Sequence, residues 1–151
     1  MPALNILLVE DNSDDVLLLR HAFQKAGVTH PLQVVSDGLE SLEYLRGEKA
    51  YADRDQYPFP DVMLLDLNMP RMNGFEVLKQ VRENPRYNWL MIHVLTASSR
   101  PGDVQRAYDL RANSYVFKPS RMDELVALVT ALRDWHGFVC LPAYGCGNVV
   151  A

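Results

Sequence analysis

The chain has 151 residues, a length that fits one domain with a substantial core and leaves no room for a second of full size. Its 15 Lys and Arg against 19 Asp and Glu give a formal net charge of -4, both signs interspersed and without a long basic run, which argues against a nucleic-acid or membrane surface. No apolar run approaches membrane-spanning length and no signal-peptide pattern opens the chain, so a cytoplasmic protein is expected, with its two cysteines, Cys140 and Cys146, as free thiols.

Asn5 to Val9 reads as a short aliphatic strand that breaks at Glu10-Asp11-Asn12. Ser13 is placed to cap a helix with Asp14 and Asp15 in its first turn, at the positive end of the helix dipole. Val16, Leu19, Phe23 and Ala26 recur at helical spacing, and Gly27 closes that helix. Pro31 to Val35 is a second strand, and Asp37 with Glu40 three residues on predicts a capping box for a helix through Leu39, Leu42 and Leu45 that ends at Gly47. Glu48 to Pro60 is charged, Tyr- and Pro-bearing and aperiodic, a loop of above-average length.

Asp61 to Gly74 is the central stretch. Val62 to Leu65 has the composition of a strand covered on both faces, and Pro70, Asn73 and Gly74 are turn residues that stop it, so Asp66 stands at a strand's carboxyl end. An Asp in that position is often only a turn former or cap, and its neighbours in space decide. Phe75, Leu78 and Val81 then supply the apolar face of a third helix, ended by Asn84-Pro85. Leu90 to Leu95 is a fourth strand, with Thr96-Ala97 after it, and Pro101 opens a fourth helix through Val104, Ala107, Tyr108 and Leu110. Ser114 to Phe117 is a fifth strand ending in Lys118-Pro119, and Ser120 with Asp123 is placed to cap a fifth helix through Leu125, Leu128, Val129 and Leu132. Gly137 to Ala151 carries no clear pattern.

Five strands alternating with five helices predict an α/β fold with a doubly wound, five-stranded parallel sheet. Parallel strands all point one way, so Glu10, Asp11, Asp66, Thr96 and Lys118 are expected along one edge, where ligands of such sheets bind. Three carboxylates crowded against one amine favour a hard divalent cation, and Mg²⁺ suits because it needs only one or two carboxylates beside waters and phosphate oxygens. An aspartate beside a metal, an ammonium and a hydroxyl is equipped to attack a phosphoryl group.

Glu10-Asp11, Asp66 in Leu-Leu-Asp-Leu-Asn-Met-Pro-x-Met-Asn-Gly, Thr96-Ala97 and Lys118-Pro119, in this order, resemble a two-component response-regulator receiver domain over roughly residues 4 to 135. The resemblance implies the flavodoxin-like strand order 2-1-3-4-5, a receiver domain over 1–136 and a C-terminal extension over 137–151. It implies that Asp66 accepts a phosphoryl group from a histidine kinase, that Asp11, Asp66 and the backbone carbonyl of Asn68 bind Mg²⁺, and that Glu10 acts through water. It further implies that Thr96 and Lys118 contact the phosphoryl oxygens, that Tyr115 changes rotamer with Thr96, and that the Lys118-Pro119 bond is cis. The resemblance implies a phosphoacceptor and not a conventional enzyme, whose output is a contact with another protein or a relay of the phosphoryl group onward. The long loop, the missing output domain and the extra C-terminal segment resemble the small regulators that partner phytochrome-type kinases.

Arg111 departs from the family, where Gly is usual; a left-handed Arg there costs on the order of 1 kcal/mol relative to Gly, so a different turn is expected. An aspartate-nucleophile phosphatase shares this chemistry, but its usual Asp-x-Asp would put an acid where Asn68 stands. A flavin or nucleotide carrier would need a Gly-rich loop where Glu10-Asp11-Asn12-Ser13 stands. Tyr108, Phe117 and the apolar residues of the last helix serve either the core or a homodimer face. His21, His30, His93 and His136 are scattered without metal spacing and are read as solvated or core residues.

Overall fold

Strands without polar interruption must be covered on both faces, and Ile6–Val9 (β1) and Val62–Leu65 (β3) are buried along their whole length. With Leu32–Val35 (β2), Met91–Thr96 (β4) and Ser114–Phe117 (β5) they form a parallel sheet in the order β2-β1-β3-β4-β5, as expected. The structure is a computed structural model and describes residues 4–142 and 145–146. Side chains alternate across the sheet: Leu7, Val9, Met63 and Leu65 pack on one side, and Ile6, Leu8, Val62 and Leu64 on the other. The first layer is closed by Gly38–Arg46 (α2), Gly74–Glu83 (α3) and Pro101–Asp109 (α4), through Leu42, Leu78 and Ala107 among others. Ser13–Lys25 (α1) and Met122–His136 (α5) close the second, through Leu19, Phe23, Leu125 and Val129. The registers Val9 to Leu65 and Leu65 to Val94 bring the ends of β1, β3 and β4 level.

Two caps differ from expectation. Asn12, not Ser13, caps α1, its side-chain oxygen accepting from the Asp14 and Asp15 N–H groups at 3.0 Å. One amide oxygen serves both donors, while Ser13 already belongs to the helix. At α5 the cap position falls to Arg121, whose guanidinium pairs with Asp123, so Ser120 makes no cap. Asp37 does cap α2, accepting from Glu40 N–H at 2.8 Å, but Glu40 turns to Ser36 N–H rather than closing a box. Asn73 and Glu76 form the reciprocal box at α3.

The turn at Arg111 is left-handed (φ 68) despite the side chain, contrary to the expected change of turn. Its carbonyl accepts from Arg82 Nε at 3.0 Å and its guanidinium donates to the Arg82 carbonyl, contacts that offset the backbone cost. The long loop is also built. Arg54 donates to the carbonyls of Tyr44, Leu45 and Tyr57, covering the C-terminal end of α2, while Tyr44, Tyr51 and Tyr57 pack ring against ring.

Past α5, Cys140–Leu141 (β6) and Gly145–Cys146 (β7) pair antiparallel. Cys140 is disulfide-bonded, which corrects the expected free thiol. The backbone register of the hairpin sets position 140 opposite position 146. Residues 143–144 and 147–151 of the expected extension lie outside the described residues. Among the described residues no helix is long and apolar enough to cross a membrane.

His93 and His136, one on β4 and one at the end of α5, meet in the core with their Nε2 atoms 3.1 Å apart, and His93 Nδ1 lies 2.6 Å from Ser114 Oγ. Burial pushes both rings down, and the neighbouring His93 and His30 help to take His136 to about 4. A folded-state value below the ordinary 6.5 means that the unfolded chain takes up the proton first as pH falls. The contribution is thus intact above about pH 6.5 and is lost toward about pH 4, on the order of 3 kcal/mol in all. Urea midpoints at about pH 7 and about pH 5 should fall in the wild type and fall less in His136→Leu; equal losses would assign the acid lability to other groups.

Candidate functional site

The sheet edge is shaped by the residues that leave each strand. After β1, Glu10 is buried; its Oε1 accepts the Asn12 N–H at 3.1 Å and its Oε2 accepts from Lys118 Nζ at 2.7 Å. After β3, Asp66 is also buried, with Oδ1 accepting the Leu67 N–H at 2.8 Å. The chain then turns so tightly that a Cβ on Gly74 would stand 2.4 Å from the Asp66 carbonyl, which is why glycine opens α3. Asp11 is exposed at the rim, and one carboxylate oxygen each from Glu10, Asp11 and Asp66 lie within 4.8 Å of one another. These groups, with Asn68, Asp15 and Lys118, line an open cleft of about 540 Å³.

Lys118 is the amine of this cleft. Besides Glu10 it donates to Asp15 Oδ2 at 2.9 Å, and the charge of Asp66 acts on it as well. Burial opposes its charge, but the bonds to Glu10 and Asp15 and the fields of Glu10 and Asp66 outweigh it and hold the amine above its ordinary range. Glu10 goes the other way. Burial pushes it up, Lys118 and the Asn12 N–H pull it down without cancelling that, and Asp66 adds to the rise. Three converging carboxylates with one buried ammonium leave excess negative charge, and an all-oxygen donor set of this kind fits a hard divalent cation.

Thr96 ends β4 fully buried, its hydroxyl accepting from Ser98 N–H at 3.4 Å. Tyr115 on β5 donates its hydroxyl to the Ser98 carbonyl at 2.7 Å, so one residue links the two. The Lys118 N–H donates to the Thr96 carbonyl at 2.7 Å, fixing β5 beside β4 at this edge. Among the described residues no peptide bond is cis, so the implied cis Lys118-Pro119 bond is corrected to trans, the intrinsically favoured isomer even before proline.

Two parts of the site go beyond the sequence expectation. In the sequence Asp15 is only a first-turn carboxylate of a helix, and the fold brings it into the same cleft as Asp11, where it accepts from Lys118. The loop leading from Asp66 to α3 is also tethered: Arg71, left-handed at φ 62, donates to the buried Asp37, with Nε at 2.9 Å. Burial would raise Asp37, but the Glu40 N–H and Arg71 prevail and hold its carboxyl below the usual range. Nothing in the spacing of residues 37 and 71 announces that pair.

A family model described as "Response regulator receiver domain" matches residues 6–130. Response regulator Rcp1 of Synechocystis sp. is 34% identical over 139 residues, covering 91% of this chain and 92% of its own. The phosphorylated cyanobacterial phytochrome response regulator RcpA superposes with a TM-score of 0.84 at 34% identity, over 93% of this chain and 99% of that one. The Mn²⁺-bound form of response regulator Rcp1 gives a TM-score of 0.80 at 33% identity, with coverages of 93% and 99%. By matched length and fold, the chain belongs to the response regulator receiver domain family, close to the phytochrome-associated regulators, and is a phosphotransfer and signalling module rather than a conventional enzyme.

Proposed function

We propose that Asp66 accepts a phosphoryl group from a histidine kinase, and that residues 1–136 act as the receiver while 137–151 form an extension to it. The observation that carries this reading is the convergence of Glu10, Asp11 and Asp66 within 4.8 Å, with Lys118 Nζ bonded to Glu10 in the same cleft. An Asp66 oxygen forms the new bond to phosphorus as the bond from phosphorus to the donor histidine breaks, its electron pair returning to the imidazole nitrogen. Asp11, Asp66 and the backbone carbonyl of Asn68 would hold Mg²⁺, with Glu10 acting through water, and the ion would neutralise charge on the phosphoryl oxygens. That the related Rcp1 has a Mn²⁺-bound form supports divalent-cation binding by this chain as well.

The Thr96 hydroxyl and the Lys118 amine complete the donors to the phosphoryl oxygens. When Thr96 turns toward the phosphoryl group it leaves the Ser98 N–H, and Tyr115, held on the Ser98 carbonyl, repacks with it. The readout is a protein contact. Tyr108 and Phe117 are exposed near this element, where they suit a downstream protein or a second copy of the chain. Likeness to RcpA supports a phytochrome-type kinase as donor. Incubation with Mg²⁺ and acetyl phosphate should add one phosphoryl group to the intact mass of the wild type and none to Asp66→Ala. Turnover of a generic phosphate ester without a phosphoprotein would favour a phosphatase instead.

A further inference from the structure

We propose that Asp15 is a positioning residue that tethers Lys118 in the resting protein and must release it for Asp66 to be phosphorylated efficiently. This deepens the phosphoacceptor reading and rests on it. An ammonium has three N–H donors, and Lys118 commits one to Glu10 at 2.7 Å and one to Asp15 at 2.9 Å. Neither bond goes to Asp66, which acts on the amine through its field. A phosphoryl group on Asp66 brings further anionic oxygens that compete for this amine with charge-assisted bonds of the same kind as those it already makes to Glu10 and Asp15.

The two present partners are not equal. The Glu10 side chain is 4% exposed and would be left as a buried, unpaired acid if the amine departed. The Asp15 side chain is 35% exposed, so water takes over its hydrogen bonds at little cost. Asp15 is therefore the bond that yields, and its strength sets part of the barrier to engaging Lys118. Its placement in the first turn of α1, where the Asn12 side chain accepts its N–H, holds the carboxylate in reach of Lys118.

Asp15→Asn weakens the tether while keeping the shape. Phosphorylation of Asp66 by acetyl phosphate at fixed Mg²⁺ should become faster by about fivefold, the scale of one partly exposed ion pair. Asp14→Asn removes the same charge from the same turn without touching Lys118, and should leave the rate within about twofold. A second readout needs neither donor nor Mg²⁺: the ¹⁵N resonance of the Lys118 ammonium, held and slowly exchanging in the wild type, should shift and broaden in Asp15→Asn and stay in place in Asp14→Asn. An unchanged or slower Asp15→Asn, an equal gain in Asp14→Asn, or an unmoved ammonium resonance would each overturn the tether. If the wild type itself takes up no phosphoryl group, the phosphoacceptor reading falls with it, and the wild-type control identifies that case.

Discussion

Lys118→Ala should slow phosphorylation of Asp66 by acetyl phosphate by about 10²-fold or more, the usual loss when one preorganised donor to a developing oxyanion is removed. The amine is largely enclosed, its side chain 14% exposed, so water replaces it poorly and its charge is felt at short range by both Glu10 and Asp66. Its removal also leaves Glu10, already pushed up by burial, without its main counter-charge. Stopped-flow rates for wild type, Lys118→Ala and Lys118→Arg test this. A Lys118→Ala rate within about threefold of wild type would mean that the amine serves structure and not the phosphoryl group.

Arg82→Ala should cost about 3 kcal/mol of stability or more, the scale for breaking a buried charged network from one side. Arg82 is 7% exposed, and its guanidinium serves three acceptors: the Arg111 carbonyl at 3.0 Å, the Tyr87 carbonyl at 3.1 Å and Asn113 Oδ1 at 2.9 Å. Burial pushes it down from its usual value, and the nearby Arg111 does the same, so these acceptors are what keep the charge acceptable inside. They also tie the end of α3 to the turn between α4 and β5, where Arg111 sits in its left-handed conformation and Asn113 accepts the Ile92 N–H at 2.7 Å. Arg82→Lys should recover only part of the loss, since an ammonium is a point donor and cannot span a planar fork's three partners. Urea unfolding at neutral pH measures both, and a loss below about 1 kcal/mol for Arg82→Ala would show that the turn holds without it.

The features legible in the chain are those that depend on local pattern. Val62 to Leu65 had to be a covered strand, and once five such strands alternated with helices, parallel geometry carried Glu10, Asp11, Asp66 and Lys118 into one cleft, with Thr96 at the end of β4 beside Lys118, without any need to know their distances. Contacts between residues far apart in sequence leave no such trace. His93 and His136 each look like an ordinary core or surface histidine until β4 and α5 bring them to 3.1 Å. Arg71 and Asp37, or Arg82 and Arg111, are charged residues in unrelated stretches until the fold closes around them. The shifted cap of α1 has a different origin: Asn12 and Ser13 are both good cap residues, and one residue of register, set by where β1 ends, decides between them. The pairing of Cys140 is hidden because it needs a hairpin whose strands are only two residues long, too short for periodicity to reveal.

The most direct measurement is to locate the phosphoryl group. After reaction with acetyl phosphate and Mg²⁺, borohydride reduces an aspartyl phosphate to homoserine, and peptide mass mapping then reads which aspartate was modified. Homoserine at position 66 and at no other aspartate is the expected result. Modification at Asp11, Asp15 or elsewhere with Asp66 untouched, or no modification at all, would contradict the role given to the cleft.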